Sequence, residues 1–201
     1  MEKFILQPQD LNNILDDKNL IIFDCRFNLL KKELGYKKYL NTHIKNAHYI
    51  NLESQLSSKI SEHSGRHPLP NIEKFTDLLN IYGVNTNSKI VIYDDENNAM
   101  SARFWWMLRI VGIKNCSVLD GGFKAWSTQG FPVDNLIPKN TQQQNNSYAY
   151  DEDTIVKTNN LEKMIKDEDF CLVDARENER FIGAKEPIDK KAGHIPGAIN
   201  M

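Results

Sequence analysis

Two motifs decide the fold, and the sequence contains each of them twice. The first pair reads IIFDCRF at residues 21–27 and HIKNAHYINL at residues 43–52, and the second pair reads CLVDARENERF at residues 171–181 and GHIPGAINM at residues 193–201. Asp24 and Asp174 lie 150 residues apart, and His43 and His194 lie 151 residues apart. A constant offset across two separate motifs indicates tandem copies of one supersecondary unit.

Between the motifs, apolar runs alternate with segments that repeat apolar residues every three or four positions. This alternation is typical of an α/β fold in which helices cover both faces of a parallel sheet. Strands are predicted at Leu20–Asp24, Ala47–Leu52, Lys89–Asp94, Cys116–Leu119 and Phe170–Asp174. Helices are predicted at Asn71–Tyr82, Ser101–Val111, Phe123–Ser127 and near Leu161–Ile165.

The periodic pattern lapses from Pro132 to about Tyr150, where the sequence is rich in Asn and Gln. Such a stretch is typical of a linker. We therefore expect a complete domain at residues 4–130, a linker at 131–147 and an incomplete second copy at 148–201. A long surface loop inside one domain is the alternative, and the repeat that restarts after the stretch favours the linker.

Composition restricts the classes of function. A formal net charge of −2 gives no reason to expect nucleic acid or an acidic membrane surface as a partner. No apolar stretch reaches the roughly 20 residues of a membrane helix, and the start is too polar for a signal peptide. Three cysteines without a CxxC pair argue against a disulfide framework or a metal site. We expect a cytoplasmic protein that needs no cofactor.

The motif residues also carry a family resemblance. The runs DAR, ERF, EPID and GHIPGAIN in the second copy, with VIYD, SARFWWM and LDGGF in the first, resemble the tandem rhodanese-domain sulfurtransferases over nearly the whole chain. This family includes the thiosulfate and 3-mercaptopyruvate sulfurtransferases. The resemblance implies a rhodanese-like fold and an enzyme that moves sulfane sulfur from a small anionic donor, thiosulfate or 3-mercaptopyruvate, to a thiol or cyanide acceptor.

In this family the sulfur is carried as a persulfide on a cysteine in the loop between a central strand and the next helix. Backbone N–H groups and the helix N-terminus favour the thiolate there. Asp94 occupies the matching position of the first copy, and a carboxylate cannot carry sulfur; it more simply ends the strand and caps the turn. Cys25, Cys116 and Cys171 all fall at predicted strand positions, where we expect them to be buried and inert.

The spacing of the first copy locates the second copy's own loop. If both copies keep similar spacing, the second copy stops about 44 residues before its nucleophile position. We therefore expect the parent protein to be a sulfurtransferase and this chain, as a truncated form without a catalytic residue, to be inactive.

Substrate contacts are the site residues that the resemblance implies for the second copy. Arg176 and Arg180 match arginines that bind the anionic donor, and they would share one face if the segment is helical. A structural ion pair at the strand end is the alternative for Arg176. The mercaptopyruvate enzymes place a further Arg beside EP, where this chain has EPIDKK, so Lys190 or Lys191 would have to replace it. The choice between the two donors therefore stays open.

From the first copy, the resemblance assigns Glu53, Arg66 and His67 to a loop that reaches the second copy's site. A histidine there could shuttle a proton or hydrogen-bond the substrate, and we expect it to line one cleft with Arg180. A plain surface-loop histidine is the alternative. His43 and His194 are interpreted as structural residues that fix the turn into the next strand.

Other classes of function share parts of this pattern. A non-catalytic rhodanese-like binding or regulatory module would also lack the nucleophile. A nucleotide-binding domain is disfavoured because no glycine-rich phosphate motif follows a strand. Rhodanese-like phosphatases share the fold but also need a loop cysteine, and the tandem arrangement favours sulfur transfer.

Overall fold

The computed structural model describes residues 3–62, 64–95, 97–139 and 145–201. The chain divides into two compact units, Met1–Asp151 and Glu152–Met201. Within the described residues, no helix has the length and apolar character needed to cross a membrane.

The first unit contains a five-stranded parallel sheet, as the α/β pattern predicts. Its chain also forms a small antiparallel pair outside this sheet. The strands are β1 (Ile5–Leu6), β2 (Leu20–Asp24), β3 (His43–Ile44), β4 (His48–Tyr49), β5 (Lys89–Tyr93), β6 (Cys116–Leu119) and β7 (Val133–Asp134). The sheet order is β1-β6-β5-β2-β4, and β3 pairs with β7. The two strands with the most continuous apolar sequence, β2 and β5, lie side by side in the interior of the sheet.

The described part of the first unit contains five helices. They are α1 (Pro8–Asn12), α2 (Glu33–Asn41), α3 (Ile72–Ile81), α4 (Ala99–Ile110) and α5 (Gly122–Thr128). The side chain of Asn71 caps α3 by accepting a hydrogen bond from the backbone N–H of Lys74. The predicted helices at Asn71–Tyr82, Ser101–Val111 and Phe123–Ser127 are confirmed within one or two residues at each end.

Helices cover both faces of the sheet. Neighbouring residues of β2 point in opposite directions and therefore pack against different helices. Phe23 packs edge-on against Phe104 of α4, with 5.1 Å between the ring centroids. Ile22 joins a separate buried cluster with Leu11 of α1 and Trp126 of α5. Both layers are nearly free of solvent, and burial of each large apolar side chain stabilises the fold by about 1.5–3 kcal/mol. The carboxyl ends of β2 and β5 are therefore held rigidly next to each other.

Two predicted strands are shorter in the structure than in the sequence pattern. The strand predicted at Ala47–Leu52 is limited to β4, because the side chain of Asn51 accepts hydrogen bonds from the N–H groups of Glu53 and Ser54 and starts a turn. The strand predicted at Phe170–Asp174 is limited to Val173–Asp174.

The second unit is small, and none of its described residues is buried. It contains a 3-10 turn (Glu152–Thr154), α6 (Thr158–Met164), β8 (Val173–Asp174), α7 (Asn178–Phe181) and β9 (Ile199–Asn200). The strands β8 and β9 form a two-stranded parallel sheet. Ile195 and Ile199 are about half exposed, and the buried hydrophobic core of the described chain contains no residue of this unit.

The segment just before the second unit packs on the first. Tyr148 donates a hydrogen bond to the carbonyl of Val84 at 2.8 Å, and the N–H of Asp151 donates to the carbonyl of Ile110 at 2.9 Å. The first compact unit consequently extends to Asp151, beyond the predicted linker at 131–147. Residues 140–144 of that predicted linker lie outside the described residues.

Candidate active site

A buried ion pair closes the turn that follows β2. Arg26 donates from Nε and Nη2 to the carboxylate of Asp24 at 2.7–3.1 Å, and Nη2 also donates to the carbonyl of Thr42 at 2.6 Å. The hydroxyl of Tyr93 donates to the same carboxylate at 2.7 Å. Burial raises the pKa of Asp24 above its usual range, although the bonds from Arg26 and Tyr93 oppose that shift. The guanidinium also lies 4.2 Å from the ring centroid of Phe123, which fixes its plane.

The second unit contains the same set of bonds at its own DxR motif. Arg176 donates from Nε and Nη2 to Asp174 at 2.6–3.0 Å and from Nη2 to the carbonyl of Gly193 at 2.7 Å. Thr42 and Gly193 each precede a motif histidine. This pair is more exposed than the first, and the bonds from Arg176 lower the pKa of Asp174 to about 2.

The two motif histidines also make matching contacts. His43 stacks on Tyr39 with 4.1 Å between ring centroids, and its Nδ1 lies 2.7 Å from the carbonyl oxygen of Tyr39. His194 stacks on Phe181 at 3.7 Å, and its Nδ1 lies 2.7 Å from the carbonyl oxygen of Phe181. The rings therefore anchor the start of each HI motif to the helix before it, which is the contact expected of a structural residue.

Strand pairing follows the same offset. Asp24 of β2 is paired with Tyr49 of β4, and Asp174 of β8 is paired with Asn200 of β9. The turn before each second strand contains one residue with positive φ, Asn46 at 64° and Gly197 at 87°. The repeated residues thus occupy equivalent elements in the two units.

Asp94 fills the loop between β5 and α4. Its Oδ1 accepts a hydrogen bond from the N–H of Asn98 at 3.0 Å, and its Oδ2 accepts from the N–H groups of Met100 and Ser101 at 3.0 and 3.2 Å. The Ser101 hydroxyl adds a fourth bond at 3.1 Å. The N–H groups that could stabilise a thiolate at this position are therefore bound to a carboxylate, which also caps α4.

Neither of the two cysteines near the sheet of the first unit is placed to carry sulfur. Cys25 is 2% exposed, and its burial, with the negative charges of Asp24 and Asp94, raises its thiol pKa well above the usual value. Cys116 is also buried and donates to the carbonyl of Ile113. Both are therefore inert in the folded unit.

The prediction for Cys171 is wrong. It is exposed and lies outside any strand, because β8 begins two residues later at Val173. It also lies before that strand, whereas the family's reactive position follows a strand.

In the first unit the structure brings together the predicted loop residues. Nε2 of His67 lies 3.8 Å from Oε1 of Glu53, which also pairs with Lys32 at 2.8 Å. Burial, followed by the positive charges of Arg103 and Arg66, lowers the pKa of His67. The imidazole is therefore neutral near pH 7 and able to accept a proton. Arg66 itself is exposed.

In the second unit, Arg176 and Arg180 both reach Glu186. Arg180 donates from Nε and Nη2 to the Glu186 carboxylate at 3.1 Å and from Nη2 to Asp189 at 2.8 Å, while Nη1 of Arg176 lies 3.6 Å from Glu186. Arg176 lies before α7, so the segment between the two arginines is not wholly helical and the condition for a shared helical face is not met. They meet because the chain turns back at Glu186.

The carboxylate of Glu186 organises this part of the second unit. It accepts hydrogen bonds from the N–H groups of Asp189 and Ile188 and from Arg180, and these bonds lower its pKa to about 2. Lys190 and Lys191, which follow the turn, are exposed. In the described part of the chain, no group of three or more His, Cys, Asp or Glu side chains is placed to hold a metal ion.

Sequence reasoning missed Arg103 of α4. Its Nη2 donates to the carbonyl oxygens of Leu56 and His67 at 2.8 and 3.0 Å. The available signal was a single cation inside the otherwise apolar run ARFWWML, but nothing in that run indicates which distant segment the cation contacts.

Comparison with known proteins gives the class first. The sequence model of the rhodanese-like domain matches residues 7–129 and 157–201, and the chain belongs to the rhodanese-like domain family. The chain is 36% identical over 200 residues to a protein of Pseudomonas aeruginosa named "Probable 3-mercaptopyruvate sulfurtransferase", covering 96% of this chain and 69% of that protein. It is 33% identical over 168 residues to the thiosulfate sulfurtransferase of Gallus gallus, covering 82% of this chain and 56% of that protein.

A solved structure extends the likeness to the fold. The 3-mercaptopyruvate sulfurtransferase from Leishmania major superposes with a TM-score of 0.87 at 28% identity, covering 99% of this chain and 54% of that one. The chain therefore spans between about half and about seven tenths of the length of these relatives.

Proposed function

We propose that this protein is a sulfurtransferase built from two rhodanese-like copies, the second of which is incomplete within residues 1–201. It would move sulfane sulfur from thiosulfate or 3-mercaptopyruvate to a thiol or cyanide acceptor through a cysteine persulfide. The observation that carries the proposal is the repeated framework, in which an Asp–Arg pair binds the carbonyl before a stacked histidine in both units. Family membership and the names of the relatives support the same reaction.

The first copy, residues 4–130, would be catalytically silent and would assist the reaction through its loop. Asp94 occupies the place of the nucleophile, and its carboxylate already uses the surrounding N–H groups. The neutral imidazole of His67, next to Glu53, can accept a proton from the donor's thiol or hydrogen-bond its carboxylate or sulfonate oxygens. The cation of Arg66 adds attraction for an anionic donor.

In the second copy, Arg180 and Arg176 would bind the anionic donor. A guanidinium remains charged and presents several donors to carboxylate or thiosulfonate oxygens. Nε and Nη2 of Arg180 are bound to Glu186 and Asp189, so an anion would be recognised by the remaining Nη1 or would displace Asp189, whose side chain is more exposed than that of Glu186.

The sulfur-carrying cysteine would lie outside residues 1–201. Cys25 and Cys116 are buried, and Cys171 does not follow a strand into a helix. A thiocyanate assay in solution tests this. It compares the 201-residue chain with any longer product of its gene, each given cyanide and either thiosulfate or 3-mercaptopyruvate. We expect thiocyanate only from a longer product that supplies a loop cysteine. A persulfide detected by intact mass on the 201-residue chain would contradict the assignment.

A non-catalytic rhodanese-like binding or regulatory module is the second candidate. It is favoured by one observation, the carboxylate of Asp94 bound within the loop where a thiolate would be. Absence of sulfur transfer from every product of the gene, with either donor, would select this second candidate.

A further inference from the structure

One side chain of α4 connects two separate stretches of the loop that carries His67. Nη2 of Arg103 donates to the carbonyl of Leu56 at 2.8 Å and to that of His67 at 3.0 Å, with the Pro68 carbonyl at 3.4 Å. Leu56 belongs to the first arm of the loop, residues 52–59, and His67 belongs to the second arm, residues 66–70. One guanidinium therefore holds both arms to the same helix.

In the described structure, two further contacts join these arms. The N–H of Ser58 donates to the carbonyl of Pro68 at 3.0 Å, and His67 meets Glu53 at 3.8 Å. Charge-assisted hydrogen bonds are stronger than neutral ones, so the bonds from Arg103 dominate this junction.

Arg103 also places an unneutralised positive charge beside His67. Within the described residues it makes no ion pair, and its buried Nε has no hydrogen-bond partner there. The other charged groups that face His67 are Arg66 on the same arm, Glu53 on the first arm and Lys32, which precedes α2. Partial burial of a guanidinium without an acid costs free energy, and hydrogen bonds to backbone carbonyls offset part of this cost.

We propose that Arg103 is a positioning residue, which clamps the two arms of the loop and presents the imidazole of His67 beside Glu53. The importance of this position for sulfur transfer rests on the proposed function, whereas the clamp itself does not. Arg103 would act through His67 without touching the substrate.

Limited trypsin digestion of the 201-residue chain tests the clamp, because Lys59 and Arg66 are exposed cleavage sites in its two arms. Peptides that end at these residues are followed by mass spectrometry. In Arg103→Gln we expect cleavage at both to become about tenfold faster, since hydrogen bonds to a charged group stabilise the closed loop by at least that factor. Arg103→Lys, which offers an ammonium instead of a fork, should give an intermediate rate.

NMR titration of the His67 imidazole tests whether Arg103 holds its positive charge beside the ring. We expect its midpoint to rise toward the ordinary value in Arg103→Gln and to stay low in Arg103→Lys, which keeps the charge. The signal is assigned with His67→Asn. Arg109→Gln is the matched control, since Arg109 lies on the same helix but contacts Phe4, Trp105 and the Lys114 carbonyl.

The possible results distinguish this inference from the proposed function. Either unchanged cleavage or an unchanged His67 midpoint in a folded Arg103→Gln chain would overturn the inference, whatever the activity. If the wild-type gene product transfers no sulfur, the proposed function fails while both measurements still judge the clamp. If it does transfer sulfur, Arg103→Gln should lower kcat/KM toward that of His67→Asn, and Arg103→Lys should recover part of the loss.

Discussion

His48 shows how burial sets the pH response of the first unit. His48 is 9% exposed, and its ring contacts the rings of both Phe23 and Tyr82. Burial and the neighbouring His43 lower its pKa to about 4. The unfolded chain binds a proton near pH 6.5, whereas the folded unit does not bind it until about pH 4. The contribution to stability is therefore complete above pH 6.5 and is lost as the pH falls between these values.

We expect the substitution His48→Ile to remove this pH dependence. The second unit has Ile199 at the equivalent strand position, so an aliphatic side chain suits the fold there. Between pH 7.5 and pH 5, the free energy of unfolding should therefore fall by about 2 kcal/mol less in the variant than in the wild type. Urea unfolding followed by tryptophan fluorescence measures this, since all three tryptophans lie in the first unit. If the free energy of unfolding changed equally with pH in the two proteins, His48 would not take up a proton on unfolding.

Arg26 gives a second prediction at the residue scale. Arg26 and Asp24 are 2% and 0% exposed, so truncating the arginine leaves a buried carboxylate without its partner. We expect Arg26→Met to destabilise the first unit by about 3–5 kcal/mol. Lys38→Met, which breaks the exposed pair with Asp95, should cost less than about 1 kcal/mol. If urea unfolding gave similar losses of unfolding free energy for the two variants, burial would not explain the strength of the Arg26–Asp24 pair.

At the scale of elements, the start of α4 depends on Asp94. Its carboxylate accepts three backbone N–H bonds and the Ser101 hydroxyl bond from a buried position. We expect Asp94→Ala to cost about 2 kcal/mol or more, because it removes the helix cap and leaves those donors unpaired. The control Asp95→Ala removes the next carboxylate, which pairs only with exposed Lys38 in the described structure, and should cost under about 1 kcal/mol. A smaller loss from Asp94→Ala than from its neighbour would reject the capping role.

Element positions could be predicted where local sequence determines them. The apolar runs of β2, β5 and β6 and the spacing in α3 identified these elements, because burial alone selects such patterns. The shortening of β4 depends on one Asn51 side chain that competes for the backbone, and periodicity carries no information on that bond.

The candidate site was only partly predictable for a related reason. The family resemblance implied that His67 and Glu53 belong to one loop, and Nε2 of His67 does lie 3.8 Å from Oε1 of Glu53. The clamp by Arg103 joins residues 36 and 47 positions apart in the chain, and such pairs follow from packing rather than from a motif. The ion pair between Arg180 and Glu186 likewise depends on a turn whose path the motif does not specify.

At the scale of the whole molecule, the two units differ in how much apolar surface they bury. Phe23, Tyr93 and Trp126 are fully buried in the first unit, whereas Ile195 and Ile199 of the second are about half exposed. Exposed hydrogen-bonded backbone opens with little free energy. In native-state hydrogen exchange we expect the amides of β8 and β9 to exchange at least about a hundredfold faster than those of β2 and β5. Similar protection of both sheets would contradict this difference.

The difference in burial between the two units should also appear in how fast their cysteines are alkylated. Cys171 is exposed, while Cys25 and Cys116 are buried, and burial raises the pKa of Cys25 and shields its sulfur. With excess iodoacetamide at pH 8, we expect one cysteine to be alkylated rapidly and the other two only as fast as the first unit opens. Peptide mapping should place the rapid modification on Cys171, and Cys171→Ser should abolish it without altering the slow phase. Adding urea below the unfolding midpoint should accelerate the slow phase alone, because its rate follows the population of opened first unit. Rapid alkylation of Cys25 in the folded chain would contradict its burial and would make that thiol a candidate sulfur acceptor beside Asp94.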